Sequence, residues 1–241
     1  MTSNRLLNWL KSYFKIMKTS QLEENEDKLI TELIQLAFEY LSVKSPMDDR
    51  PILTSDIFFV LPSLKKCISL YAAIVDDVGK KRLLSATILS RTLIEVIVTL
   101  LYVSNVEKTD GFYKKFMEHG RLRVRRSGKG WEKVTIATQI SWVEQNYGIT
   151  NLQAAYDNCS KLVHFSDSAA QLILDRRKMS SDGALGIVIS KNEEQFPQED
   201  FDEIIKTCKG MLSILRAYMR AAVKGKRLKA SIITDVEPDV S

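Results

Sequence analysis

Residues 83–102 read LLSATILSRTLIEVIVTLLY, and this stretch decides the fold. It is apolar on nearly every face of a helix, which is typical of a helix surrounded by others rather than of a surface helix. Its charged residues are Arg91 and Glu95. With Thr87 and Thr99 they form one line at intervals of four. Because burying a charge is costly unless the charge is paired, we predict a central bundle helix in which Arg91 and Glu95 satisfy each other or a group opposite.

Helical periodicity continues on both sides of this stretch. Residues 24–41 carry a wide apolar stripe, and further helices are predicted at about 62–75 and about 131–147. A last long helix is indicated by the apolar repeat over 201–219. The predicted fold class is therefore all-α, a helical bundle.

The period changes shortly before the last long helix. Ala170–Leu174 and Ala184–Ser190 are short β-prone runs, and the polar segment between them ends in Asp182-Gly183. We predict a small β-hairpin insertion at about 169–190, before the last long helix.

No internal repeat and no long linker divide the chain into separate globular domains. We divide it into N-terminal helices packed on the core (1–61), a helical bundle that contains the hairpin (62–222) and a charged C-terminal tail (223–241). Residues 1–20 are amphipathic and basic without the pattern of a signal peptide. Such a helix could lie on a membrane surface, but it is more often packed on a domain, and we favour packing on the bundle. The apolar run 93–103 is too short to span a bilayer, and we expect no membrane association.

The composition fits a soluble globular protein, because 45% of the 241 residues are hydrophobic and 27% are charged. The formal net charge of +5 favours anionic partners, although the excess is small for this length. The sequence contains no Gly-rich phosphate loop, no nucleophile elbow and no paired acids at metal spacing. These absences argue against kinase, hydrolase and two-metal nuclease activities.

The cysteines and histidines indicate a reduced, metal-free protein. Cys67, Cys159 and Cys208 are widely spaced in apolar helical segments and form no CxxC motif, so we interpret them as reduced core residues of a cytoplasmic protein. His119 and His164 are the two histidines, and neither lies in a cluster of cysteines or acids. We therefore expect no metal site and no cofactor.

A second polar line lies on the helix predicted at 152–165. Tyr156, Ser160 and His164 follow one another at intervals of four, so they share one edge of that helix. A histidine with a hydroxyl one turn back could have its tautomer fixed and act in proton transfer. It could equally stabilise the C-terminus of its own helix or be satisfied inside the bundle.

Two short motifs resemble a known family. Residues 86–95 (ATILSRTLIE) resemble the R-[small]-φ-φ-E helix of a bacterial family of uncharacterised proteins related to the HEPN-like helical domains. Residues 156–164 (YDNCSKLVH) resemble the Y…S-x-x-φ-H helix of that family. The similarity covers roughly 62–174 and continues weakly into the last long helix. It implies a bundle that often dimerises and that, in HEPN proteins with the full motif, cleaves RNA without a metal.

The chain departs from the full HEPN motif, in which an Arg precedes the His on the same helix with four to six residues between them. The corresponding positions hold Asp157, Asn158 and Cys159, which supply no positive charge. Arg91 could reach a phosphate near His164 only from the neighbouring helix.

Metal-free RNA cleavage needs a base for the 2′-hydroxyl, an acid for the leaving oxygen and positive charge at the phosphate. His164 could serve as acid or base, and Arg91 could hold the phosphate. Tyr156 or Ser160 could position these groups, with Glu95 orienting Arg91. The alternative is a polar network of the same residues that fixes the register of the two helices.

A basic run, Arg121–Lys133, extends into the start of the helix predicted at 131–147. It could hold an RNA backbone, with aromatic neighbours that stack on bases, or it could be a solvated loop. Its candidate nucleic-acid-binding residues are Arg121, Arg123, Arg125, Arg126, Lys129 and Lys133.

The sequence thus favours a cytoplasmic, HEPN-like protein that acts on RNA. Its candidate activity is that of a metal-independent endoribonuclease, acting as a toxin or defence effector. Its candidate assembly is a homodimer. The alternative is a non-catalytic helical interaction module that binds nucleic acid or a protein partner.

Overall fold

The structure is a computed structural model that describes residues 24–44, 55–106, 123–126, 130–163, 174–175, 186–187, 192–194 and 196–225. The described part contains six α-helices, and the predicted all-α fold is confirmed. They are α1 (Glu24–Lys44), α2 (Ser55–Gly79), α3 (Leu83–Val106), α4 (Ile136–Tyr147), α5 (Leu152–Val163) and α6 (Gln198–Val223).

Helix α3 is the centre of the bundle, as predicted. It packs against α2, α4, α5 and α6. Leu93, Ile97, Leu100 and Leu101 have no exposed surface, and burying each such side chain contributes about 1.5–3 kcal/mol. The apolar sequence of α3 is therefore explained by helices on several of its sides.

By length and composition alone, α3 could also cross a membrane over Leu83–Ser104. The expectation from sequence considered only the run 93–103, whereas the helix itself extends over 24 residues. Half of this apolar stretch is buried inside the fold. The core helix of a soluble protein can have the same length and composition, so these two properties are weak evidence for a membrane span.

Helix α2 begins earlier than predicted, at Ser55, so that Pro62 lies inside the helix rather than near its start. A proline there removes one backbone hydrogen bond. The turns before it nevertheless stay helical because Ile57, Phe59 and Val60 are buried in the core. Helix α2 consequently runs through the predicted boundary between 61 and 62.

Helix α1 shares the hydrophobic core of the bundle and packs on α6 and α2. Its apolar stripe is buried at Leu33, Leu36 and Ala37. On the α6 side, Arg216 Nη1 donates to Glu32 Oε2 at 3.4 Å, and Arg220 donates to the other oxygen of the same carboxylate.

The segment before α4 is a two-stranded antiparallel ladder. Strand β1 (Arg123–Arg126) pairs with β2 (Gly130–Lys133), with Arg123 opposite Lys133. The prediction that a helix resumes at Trp131 is wrong, because Trp131 lies in β2. Helix α4 starts only at Ile136, where the side chain of the N-cap Thr135 accepts the N–H of Thr138 at 3.2 Å.

A second ladder lies within the predicted hairpin insertion. Strand β3 (Leu174–Asp175) pairs antiparallel with β4 (Gly186–Ile187). The other residues of 169–190 lie outside the described part of the chain. Each of these strands has two residues, which is too short to establish the hairpin insertion. The insertion therefore stays a prediction.

The connection between α4 and α5 sets the position of the second polar line. Gly148 ends α4 with φ +67°, as expected of a glycine at that place. Asn151, directly before α5, has a left-handed φ of +65°, and its carbonyl accepts the N–H of Ala155 at 3.0 Å. The first turn of α5 is bound by α4, because the Gln153 N–H donates to Glu144 Oε1 at 3.0 Å.

Candidate functional site

The two predicted polar lines meet at three side chains. On α3, Arg91 Nε lies 3.3 Å from Glu95 Oε1, one helical turn away. From α5, the Tyr156 hydroxyl accepts hydrogen bonds from Arg91 Nε at 3.2 Å and Nη2 at 3.0 Å. The same hydroxyl donates to Glu95 Oε1 at 2.8 Å. We call these three residues the Arg91–Tyr156–Glu95 network.

Packing of α5 on α3 holds the network in place. Leu152 and Tyr156 lie one turn apart on α5 and are 4% and 6% exposed. The guanidinium carbon of Arg91 lies 5.1 Å from the centre of the Tyr156 ring, within range of a cation–π attraction. The ring therefore anchors both the helix contact and the cation.

The charged ends of the network are open to solvent. The side chains of Arg91 and Glu95 are 23% and 38% exposed. Arg91 uses Nε and Nη2 within the network, and Glu95 uses Oε1. Within the described residues, Arg91 Nη1 and Glu95 Oε2 have no hydrogen-bond partner. The network therefore leaves one donor group and one acceptor atom unused among the described residues.

The electrostatics keep the arginine charged and the phenol protonated. Partial burial by itself lowers the pKa of Arg91, but the hydrogen bond to Tyr156 and the charge of Glu95 outweigh this effect and the pKa is raised. For Tyr156, burial and the hydrogen bond to Glu95 raise the pKa of the phenol against the opposing effect of Arg91. The phenol is thus a hydrogen-bond donor at neutral pH.

Other hydroxyls of the two lines make local contacts. Thr87 Oγ1 donates to the carbonyl of Leu83 in its own helix, and Ser160 Oγ to that of Tyr156, each at 2.8 Å. Thr99 instead turns to α4, donating to the buried Gln139 at 2.8 Å. The residues of the line on α3 therefore have different partners: Thr87 bonds within α3, Thr99 bonds to α4, and Arg91 and Glu95 bond to α5.

Several predicted site residues cannot be placed in this geometry. His164, Arg121 and Lys129 lie outside the described residues, and His164 directly follows Val163, the last residue of α5. Of the basic run, the backbone positions in β1 and β2 are described. They belong to Arg123, Arg125, Arg126 and Lys133. Nucleic-acid binding by this run stays a prediction.

The three cysteines are free thiols. Cys67 and Cys208 are buried, and Cys208 Sγ lies 3.3 Å from Ser90 Oγ. Burial raises the pKa of Cys159 to about 11 and that of Cys208 to about 12. These two thiols stay protonated at neutral pH and are poor nucleophiles.

The sequence did not indicate a second polar cluster, at the start of α3. The carboxylate of Asp77 accepts hydrogen bonds from Arg82 Nη1 at 3.4 Å and from the Ser85 hydroxyl. Glu193 Oε2 accepts the N–H of Leu84 at 2.9 Å. We call Asp77, Arg82, Ser85 and Glu193 the α3 junction. The signal in the sequence that could have revealed the junction was Asp77, a carboxylate among the apolar residues in the last turns of α2.

In the described part of the chain, no group of three His, Cys, Asp or Glu residues is placed to hold a metal ion. The chain matches no protein-family model, no curated protein and no solved structure. The resemblance to HEPN-like domains therefore stays a prediction.

Proposed function

We propose that the protein acts on RNA as a HEPN-like, metal-independent endoribonuclease. The observation that supports this proposal is the Arg91–Tyr156–Glu95 network. It fixes a guanidinium at a partly exposed surface, with Nη1 free of partners among the described residues. An arginine fixed on one edge and open on the other is well suited to bind a phosphate.

The proposed reaction is attack of a ribose 2′-hydroxyl on the adjacent phosphate. The O2′–P bond forms and the P–O5′ bond breaks, which gives a 2′,3′-cyclic phosphate and a 5′-hydroxyl. Arg91 would bind the non-bridging oxygens as negative charge develops on them. His164 would act in proton transfer, with Tyr156 and Ser160 as positioning residues.

The basic run would supply affinity for the RNA backbone without reading its sequence. Six cations are proposed for it: Arg121, Arg123, Arg125, Arg126, Lys129 and Lys133. Binding through phosphates weakens steeply as salt rises, because counterions are released on association. We further propose a cytoplasmic homodimer that acts as a toxin or defence effector.

The test is incubation of total RNA with wild-type and His164→Ala protein in EDTA, followed by mapping of the fragment ends. We expect wild-type protein to leave cyclic phosphate ends and the variant to leave the RNA intact. Equal cleavage by both proteins would indicate a contaminating nuclease and refute the role of His164. Intact RNA in both samples would refute the proposed activity.

A second candidate function is a non-catalytic interaction module that binds nucleic acid or a protein partner. It is favoured because the groups of the network bond to one another: the Tyr156 hydroxyl makes three hydrogen bonds to Arg91 and Glu95, which link α5 to α3. In that case the network fixes helix register, and the exposed charges contribute to docking. Retained RNA binding without cleavage, measured by fluorescence anisotropy, would favour this function over the nuclease.

A further inference from the structure

We propose that Glu95 is the general base of the RNA cleavage, which makes it a catalytic residue rather than only an orienting partner of Arg91. This inference rests on the proposed function. It assigns the two proton transfers of the reaction to different residues, with Glu95 as the base and His164 as the acid.

The two oxygens of the Glu95 carboxylate have different surroundings. Oε1 accepts the Tyr156 hydroxyl at 2.8 Å and lies 3.3 Å from Arg91 Nε. Oε2 has no partner among the residues that the structure describes, and the side chain is 38% exposed. One oxygen therefore holds the carboxylate in place, while the other can accept a proton from a bound substrate.

Arg91 and Glu95 are neighbours on one face of α3, one helical turn apart and in contact at 3.3 Å. A phosphate bound by Arg91 would therefore have its own ribose near the Glu95 carboxylate. The 2′-hydroxyl that must lose a proton belongs to that ribose. Tyr156 is unsuited to this task, because burial and its bond to Glu95 raise the pKa of the phenol and keep it a donor.

The protons balance over the step. Glu95 takes the proton of O2′ as the O2′–P bond forms, and a protonated His164 gives a proton to O5′ as the P–O5′ bond breaks. Glu95 ends protonated and His164 ends neutral, and exchange with water restores both groups. No further reactant is needed.

The Glu95→Gln variant tests this proposal with little disturbance, because the amide oxygen can still accept the Tyr156 hydroxyl. Full-length wild-type, Glu95→Gln and His164→Ala proteins are compared on an oligoribonucleotide that spans a mapped cleavage site. A second substrate carries sulfur in place of O5′ at that site. A thiolate leaves without needing a proton, so this substrate bypasses the general acid but still needs the base.

We expect Glu95→Gln to lower kcat by about 10²–10⁴-fold on both substrates while KM changes by less than about threefold. We expect His164→Ala to lose activity on the oxygen substrate and to recover at least about tenfold on the sulfur substrate. Thr92→Ala is the matched control on the same helix, because the Thr92 hydroxyl donates to the carbonyl of Ile88 outside the network. It should cleave like wild type.

Three results would overturn the assignment of Glu95. Recovery of Glu95→Gln on the sulfur substrate would make Glu95 the acid. A raised KM at unchanged kcat would make it a binding residue, and full activity would leave it without a role in the reaction. If wild-type protein cleaves neither substrate, the proposed nuclease function is refuted, and the role of Glu95 is refuted with it. If wild-type protein cleaves and one of the three results above is found, only the role of Glu95 is refuted.

Discussion

The two polar clusters that involve α3, the α3 junction at its start and the Arg91–Tyr156–Glu95 network in its middle, contain similar charged groups but use them differently. At the α3 junction, Asp77 is 8% exposed and both of its carboxylate oxygens are occupied, by Arg82 and Ser85. In the middle of the helix, Glu95 has a 38% exposed side chain and one oxygen without a partner in the described part of the chain. The junction therefore has the properties of a structural cross-link, and the network has those of a binding site.

This difference shows that an ion pair alone does not identify a functional site. What distinguishes the network is unused hydrogen-bonding capacity at an exposed position. The distinction can be tested, because substitutions in the network should affect RNA cleavage more than stability, and substitutions at the junction should affect stability more than cleavage.

The largest effect is expected for Arg91→Ala. Loss of the cation that would bind the phosphate should lower kcat on the mapped oligoribonucleotide by about 10²–10³-fold, as when a donor to a developing negative charge is removed. Arg220→Ala is the control, because Arg220 is a half-exposed partner of Glu32 far along α6 and should leave cleavage unchanged. Wild-type kcat in Arg91→Ala would remove the network from the reaction.

Asp77→Ala should have the next largest effect, and it should be on stability. Arg82 Nε is already buried and has no partner among the described residues, so loss of the carboxylate would leave the guanidinium without its counter-charge. We expect the free energy of unfolding in urea to fall by about 3 kcal/mol. Cleavage by the folded fraction should be unchanged, and a loss of less than about 1 kcal/mol would contradict the structural role of the junction.

The network was partly predictable because helical periodicity reveals faces. The apolar sequence of 83–102 indicated a central helix, and the spacing of four between Arg91 and Glu95 placed them on one side of it. The same spacing placed Tyr156 on one edge of its helix, and in the structure that edge meets α3. His164, another expected member of the site, lies outside the described residues.

The contact between Glu193 and the start of α3 was not predictable, because these residues are distant in sequence. Glu193 and Leu84 are separated by 109 residues, and no periodicity links them. Local patterns also misplaced elements whose ends depend on neighbours. Burial of Ile57 extends α2 ahead of its proline, and Glu144 of α4 binds the first turn of α5.

Tyr156→Phe should have a smaller effect on stability than Asp77→Ala. The ring and its packing remain, but three hydrogen bonds to Arg91 and Glu95 are lost, and we expect a fall of about 1–2 kcal/mol in the free energy of unfolding. Because folding raises the pKa of the phenol, its contribution is complete below about pH 10 and is lost as pH rises through the pKa of the folded protein. The difference between wild type and Tyr156→Phe should therefore shrink at alkaline pH. A difference that grows with pH would contradict the direction of the pKa shift.

Glu193→Ala should have the smallest effect and the most local one. The carboxylate binds the N–H of Leu84 in the first turn of α3, where backbone donors have no partner within the helix. Loss of such a cap costs about 1 kcal/mol, and Glu193→Gln, which keeps an acceptor oxygen, should cost less. Hydrogen exchange measured by NMR should show faster exchange of the Leu84 amide in Glu193→Ala, with no change at Ile97 in the buried middle of α3. Unchanged exchange at Leu84 would show that Glu193 does not hold the start of the helix, whereas faster exchange with normal RNA cleavage would separate the junction from the network by experiment.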